Sequence, residues 1–330
     1  MDVGVYRAAM DIGTNSCRLI IVELIEGGDF THERQIRITR IGEGLGRGGL
    51  HIGRAAMDRT LAALAEYKTM IAAYPVERVR LLGTQALREA DNGREFAAEV
   101  KRETGFELEI ISGRREAYLS YTGAISGFTD PTLIRPLVLD IGGGSTELIL
   151  EDVPESKTGR YGDEIRVGSE LRGGSGSRSI GERPVCGVSA PVGCLRLLEK
   201  PLGDQEILAA LKEGWDDIAI RGSEAEEYEK SPLVTVGGTA TTMGAIHLKM
   251  KDYDPDALLG LRMSRRQVEA EMILLESLSP RERLTLPGMM PGREDVMPWG
   301  LRILLAAMTY CRRDAVMICD RDLLYGALFE

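Results

Sequence analysis

Two kinds of apolar run alternate along the chain. Tyr6 to Ile12, Cys17 to Leu24 and Leu137 to Ile141 are short and nearly all apolar. That is the pattern of strands covered on both faces. Longer segments between them have helical spacing. Met57, Leu61, Leu64 and Ile71 mark one face of a helix over 55–74, which Pro75 ends. The same reading gives strands at 32–41, 79–83, 106–111, 233–236 and 315–319. It gives helices at 94–104, 114–125, 204–220, 239–250, 264–277, 293–311 and 321–329. Strands alternating with helices predict an α/β chain. A length of 330 residues suits two domains.

One strand–turn–strand pattern occurs twice. Met10 to Ile21 reads MDIGTNSCRLII, and Leu139 to Leu150 reads LDIGGGSTELIL. Asp11 aligns with Asp140, Gly13 with Gly142, Ser16 with Ser145 and Leu19 with Leu148. A glycine turn lets the backbone approach a ligand closely, and successive N–H groups form a nest for phosphate oxygens. The aspartate before each turn can hold a hydrated divalent cation against those oxygens. Two such turns face to face would grip a chain of phosphates from both sides. Plain glycine hairpins explain either copy alone, but not the matched Asp, Gly and Ser of both.

A third glycine element, Leu233 to Thr242, runs from an apolar strand into Gly237-Gly238 and a Thr-rich helix start. Thr239 can cap that helix, and the helix N-terminus can receive an anion. Gly44, Gly46 and Gly49 match GxGxxG by letter. They lack the strand–turn–helix context of a dinucleotide site and read as a loop, whose Arg47 and Arg54 could reach a phosphate. Residues 159–183, rich in Gly and Arg, read as a solvated loop; Arg172, Arg178 and Arg183 could also rim a substrate.

Composition narrows the partners. A net charge of −10 argues against broad nucleic-acid binding and against anionic membranes. It also means that any polyanion must be met by a local basic surface and a metal. Five cysteines without CxxC spacing read as reduced thiols in a cytoplasmic protein. The N-terminus has no apolar signal core, and no apolar run approaches the roughly 18 residues of a membrane span. His32, His51 and His247 are the only histidines, which leaves little for histidine-based metal sites or triads.

The Asp11 and Asp140 turns with Gly237-Gly238 resemble the actin/Hsp70/sugar-kinase superfamily. Within it the chain is similar to the exopolyphosphatase/guanosine pentaphosphate phosphohydrolase (Ppx/GppA) family. The signatures are MDIGTNSCRLI at 10–20, IGEGL at 41–45, GTQALREADN at 83–92 and ISGRREAYLSYTGA at 111–124. They continue with LVLDIGGGSTEL at 137–148, SAPVGCLRLLEK at 189–200, VGGTATTMGAI at 236–246 and PGREDVMPWGLRIL at 291–304.

The resemblance implies two actin-like (ribonuclease H-like) domains with a cleft between them. One would comprise 1–125 plus about 312–330, the other 126–311. It also implies the short form of the family, without the helical HD-type domain, and a possible homodimer. Hydrolysis of terminal phosphate from inorganic polyphosphate, guanosine pentaphosphate (pppGpp) or both is the implied activity.

Glu116 resembles the family's general base, which takes the proton of the attacking water. Arg88 resembles a phosphate-facing arginine. Asp11, Asp140 and Glu147 would hold Mg²⁺ or Mn²⁺. Thr14, Asn15, Ser16, Gly142, Gly143, Gly144, Ser145 and Thr146 would supply phosphate donors, joined by Gly237, Gly238 and Thr239. The chain departs from the family at Arg115, where a glutamate often precedes the base. That departure keeps a non-catalytic sensor of polyphosphate or guanosine tetraphosphate as a rival reading. A superfamily kinase or ATPase is a second rival, disfavoured by the Glu116 motif.

Overall fold

The computed structural model describes residues 4–45, 50–128, 135–151, 185–222 and 231–330. Gly46, Arg47 and Gly49 lie outside them, as does the Gly/Arg stretch at 159–183 with its three arginines.

The strands are β1 (Val5–Ile12), β2 (Cys17–Ile25), β3 (Gly28–Arg37), β4 (Val76–Gly83), β5 (Leu108–Ile110), β6 (Leu137–Ile141), β7 (Thr146–Glu151), β8 (Val185–Ala190), β9 (Leu233–Val236), β10 (Arg262–Ser264) and β11 (Ala315–Ile318). Among the helices, α1 (Arg54–Ile71), α2 (Gln85–Glu89), α3 (Gly93–Thr104) and α4 (Gly113–Ser126) fall in the first half. Then follow α5 (Cys194–Glu199), α6 (Asp204–Gly222), α7 (Gly237–His247), α8 (Pro255–Leu258), α9 (Arg265–Ser277), α10 (Pro280–Arg283), α11 (Met297–Tyr310) and α12 (Leu323–Leu328).

Two sheets form, in the orders β3-β2-β1-β4-β5 and β10-β11-β9-β6-β7-β8. In the first, β1, β2 and β3 are antiparallel and β4 and β5 run parallel to β1. In the second, β6, β7 and β8 are antiparallel, and β9 and β11 continue parallel to β6. The halves therefore repeat one topology, with β10 added at an edge. This is the expected actin-like architecture.

Period-two alternation explains the layers. Ala8, Met10 and Ile12 of β1 join a core with Leu64 and Tyr67 of α1, while Ala9 joins Leu119 of α4 and Leu324 of α12. The second sheet repeats the scheme. Leu137, Leu139 and Ile141 of β6 pack with Leu301 and Leu304 of α11, while Val138 packs with Ala117 and Tyr121 of α4. Helix α4 thus gives Leu119 to one domain's core and Ala117, Tyr121 and Ala124 to the other's.

Some boundaries move. The return to the first domain lies beyond Ile318, later than the expected 312, because β11 is hydrogen-bonded into the second sheet. Helix α11 starts at Met297 rather than 293, with Pro298 in its first turn, a position that tolerates a missing N–H. The short α5 was not expected. All five cysteines are free. Among the described residues no helix is long and apolar enough to cross a membrane.

Candidate active site

Each repeat closes its turn in the same way. The Gly13 N–H donates to Ser16 O at 2.9 Å, and the Gly142 N–H donates to Ser145 O at 2.9 Å. The turns come from different domains and touch. A Cβ on Gly144 would lie 2.1 Å from Gln85 Oε1 and 3.0 Å from Thr14 Oγ1; one on Gly143 would lie 3.1 Å from Asn15 N. Glycine leaves room for that approach, which any side chain at 143 or 144 would crowd. Gly237 completes the floor at φ +79°, where a Cβ would stand 2.8 Å from Asp140 Oδ1.

Between the turns is a cavity of about 70 Å³. Most of the residues singled out in the sequence line it: Asp11, Thr14, Asn15, Ser16, Glu116, Asp140, Gly142, Gly143, Gly144, Ser145, Glu147, Gly237 and Gly238. Three do not. The Thr146 hydroxyl donates to Val192 O at 2.5 Å, and the Thr239 hydroxyl points at Ile141 O at 3.4 Å. Arg88 lies behind Glu116, donating from Nη1 to Ile111 O at 2.8 Å and to Glu116 Oε2 at 3.2 Å. Arg54 is on the outer surface, bound to Asp58 and Glu99.

Cross-strand register sets the charges. Opposite Asp11 stands Arg18, and opposite Asp140 stands Glu147. Arg18 binds Asp11 in a fork, Nε to Oδ1 at 2.9 Å and Nη2 to Oδ2 at 2.7 Å, and its Nη1 meets Asp322. Burial opposes the Arg18 charge, but Asp11 and Asp322 hold its guanidinium well above the usual value.

The other pair has no such partner. Burial and the Glu147 charge push Asp140 up to about 7, against a hydrogen bond from Ser120 Oγ at 2.9 Å. Burial raises Glu147 too, against hydroxyls that include Ser189, whose Oγ donates to Oε1 at 2.7 Å. Glu116 is raised well above the carboxylate range by burial and by Glu147, with Arg88 opposing.

Sequence reasoning missed several lining groups, Arg18 and Arg293 among them. Arg293 is 6% exposed, its Nε has no partner, and a Cβ on Gly238 would strike its guanidinium. Burial draws its pKa below the usual value. Gln85 and Cys194 line the cavity as well. The signal for Arg293 was the PGREDV turn, a charged residue between glycine and an apolar helix. Arg18 could have been found by aligning it with Glu147.

The donor set suits a hard divalent cation only in part. Glu147 is buried and Asp140 half-buried, and a cation would relieve the repulsion between these oxygen donors. No three His, Cys, Asp or Glu side chains converge as a ready cage among the described residues. Mg²⁺ fits such a site, since it keeps several waters and takes one or two carboxylates plus substrate phosphates. Asp11 is committed to Arg18.

Exopolyphosphatase 2 of Mycobacterium tuberculosis is 29% identical over 97% of this chain and 96% of its own length. Guanosine-5'-triphosphate,3'-diphosphate pyrophosphatase of Vibrio cholerae is 27% identical over 98% of this chain. A bifunctional 3-dehydroquinate synthase/phosphatase of Fusobacterium nucleatum is 28% identical, also over 98%. The chain spans only 58% and 46% of those two relatives. The crystal structure of an exopolyphosphatase-like protein superposes with a TM-score of 0.78 at 26% identity, covering 99% of this chain and 98% of that one. The profile of the Ppx/GppA phosphatase family matches residues 21–330, and the chain belongs to that family.

Proposed function

We propose that the protein is a divalent-cation-dependent phosphoanhydride hydrolase that releases terminal phosphate from inorganic polyphosphate, pppGpp or both. The observation that carries this reading is the placement of Glu116. The Glu116 carboxyl of α4, its side chain 12% exposed, lines a cavity walled by two facing glycine turns. Phosphoanhydrides resist water because negative oxygens ring the phosphorus. Catalysis must neutralise those oxygens, hold a water in line and take its proton.

The chain's own groups meet these needs. N–H groups of the turns at 13–16 and 142–145 cradle oxygens of the terminal phosphoryl. Arg293, whose Nε has no hydrogen-bond partner among the described residues, brings positive charge to the same cavity. Glu116 orients the water and accepts its proton, and Arg88 fixes the Glu116 carboxylate from behind. A divalent cation on Asp140 and Glu147 would supply further charge to the phosphoryl oxygens and lower the pKa of the surrounding carboxyls. The names of the Mycobacterium and Vibrio relatives support both substrates without ranking them.

The test is phosphate release by wild type and Glu116→Gln, with Mg²⁺, on short polyphosphate, long polyphosphate and pppGpp. Release that falls at least 10³-fold in the variant, with substrate binding retained, is expected. Tight binding without release from any of the three would replace hydrolase by sensor.

A further inference from the structure

We infer that Glu330, through Arg115, is a positioning residue for Glu116: it clasps the first turn of α4 and sets where the base stands. This rests on the reading of Glu116 as the base.

Helix α4 is held on one side by α12 at unusually close range. A Cβ on Gly123 would lie 1.9 Å from Asp322 O, and one on Gly326 would lie 2.0 Å from Leu119 O. Glycine inside a helix costs stability relative to alanine, so a close crossing is the physical reason for both. The crossing fixes the middle and far end of α4. Its first turn, where Glu116 stands, lies beyond it.

Glu330 reaches that turn. Its Oε2 takes Arg115 Nη2 and, at 2.7 Å, Arg80 Nη1 of β4. Arg78 of β4 binds the Glu330 carbonyl. The Glu330 side chain is 10% exposed and that of Arg115 21%, so the contact is largely sheltered from screening. Arg115 also lies over the Tyr118 ring, its centre 5.5 Å away.

The clasp ties α4 to β4, which ends at the α2 segment carrying Arg88. Glu116 and Arg88, 3.2 Å apart, are thereby held in one frame. Ser120, one turn along α4, donates to Asp140. A small slide of α4 would displace the base and loosen that contact together. Arg115 is thus turned towards Glu330, not into the cavity, and its charge belongs to the support of the base.

The test uses the full chain with Arg115→Ala, Glu330→Ala, the double variant and Arg115→Lys. Each alanine is expected to lower kcat roughly tenfold with KM within about twofold. The double variant should fall no further than the worse single one, because the Arg115–Glu330 contact is already lost in either single variant. Lysine should restore most of the activity. Additive losses, or unchanged kcat, would overturn the proposal. Amide hydrogen exchange at Glu116 and Ala117 supplies a readout independent of turnover. If wild type releases no phosphate, faster exchange there in both single variants supports the clasp and unchanged exchange overturns it. The hydrolase reading would then fail alone.

Discussion

The two strand–turn–strand repeats share a backbone and differ in one charge. Both place an aspartate at the end of the first strand, both close on a serine carbonyl, and both line the cavity. Seven residues after each aspartate stands its cross-strand partner, Arg18 in one copy and Glu147 in the other. The first copy neutralises itself internally. The second collects buried acid, to which α4 adds Glu116. The copies are therefore not two equal halves of a phosphate clamp. One is a finished ion pair that joins Asp322 and the first domain. The other stores unfavourable charge that a cation or protons must relieve.

Making the second copy like the first should have the largest effect. Glu147→Arg would pair Asp140 internally, as Arg18 pairs Asp11. Turnover should fall at least 10³-fold. Stimulation by divalent cations should vanish, and Mn²⁺ binding followed by electron paramagnetic resonance should be lost as well. The reverse exchange should damage the fold first. Arg18→Glu leaves Asp11 and Asp322 beside a new buried acid. Breaking a buried pair typically costs about 3–5 kcal/mol, so the melting temperature should drop sharply. If Arg18→Glu instead gained cation binding without losing stability, the asymmetry would not be the one described.

How much of this could be read from the chain follows from the same comparison. The repeat was legible because Asp, Gly and Ser recur at fixed spacing, and the nearly continuous apolar runs of β1 and β6 predicted strands covered on both faces. Asp11 was grouped with Asp140 because a local motif carries no information on what crosses from the next strand. Arg293 stayed hidden because it reaches Gly238 from a turn 55 residues away in sequence. Thr146 and Thr239 sit where phosphate donors were expected, yet their hydroxyls meet carbonyls that only the packed strands and turns bring near. The return point of the chain slipped because 315–318 is too short to show, from periodicity, which sheet it joins.

The acid-rich copy should also announce itself in the pH dependence of stability. Asp140 moves from an ordinary 3.8 to about 7 on folding, so the folded protein binds its proton more tightly than the unfolded chain. That contribution is fully present below about pH 4 and is lost as pH rises through about 7. Without divalent cation, the group's stabilisation should fall by on the order of 4 kcal/mol across that window. Chemical denaturation from pH 5 to 8 should show this slope in wild type and a shallower one in Asp140→Asn. Added Mg²⁺ should recover stability most at the alkaline end.

The smallest expected effect separates hydroxyls that line the cavity from those that do not. Thr239→Val removes a long hydrogen bond to Ile141 O and keeps the shape of the side chain. It should cost about 1 kcal/mol of stability and leave KM within about twofold. Thr14→Val has the same chemistry, but its hydroxyl faces Gly144 across the cavity. It should raise KM several-fold with little loss of stability. Equal KM changes in the two variants would mean that α7 moves onto the substrate, and that the phosphate grip is not confined to the facing turns.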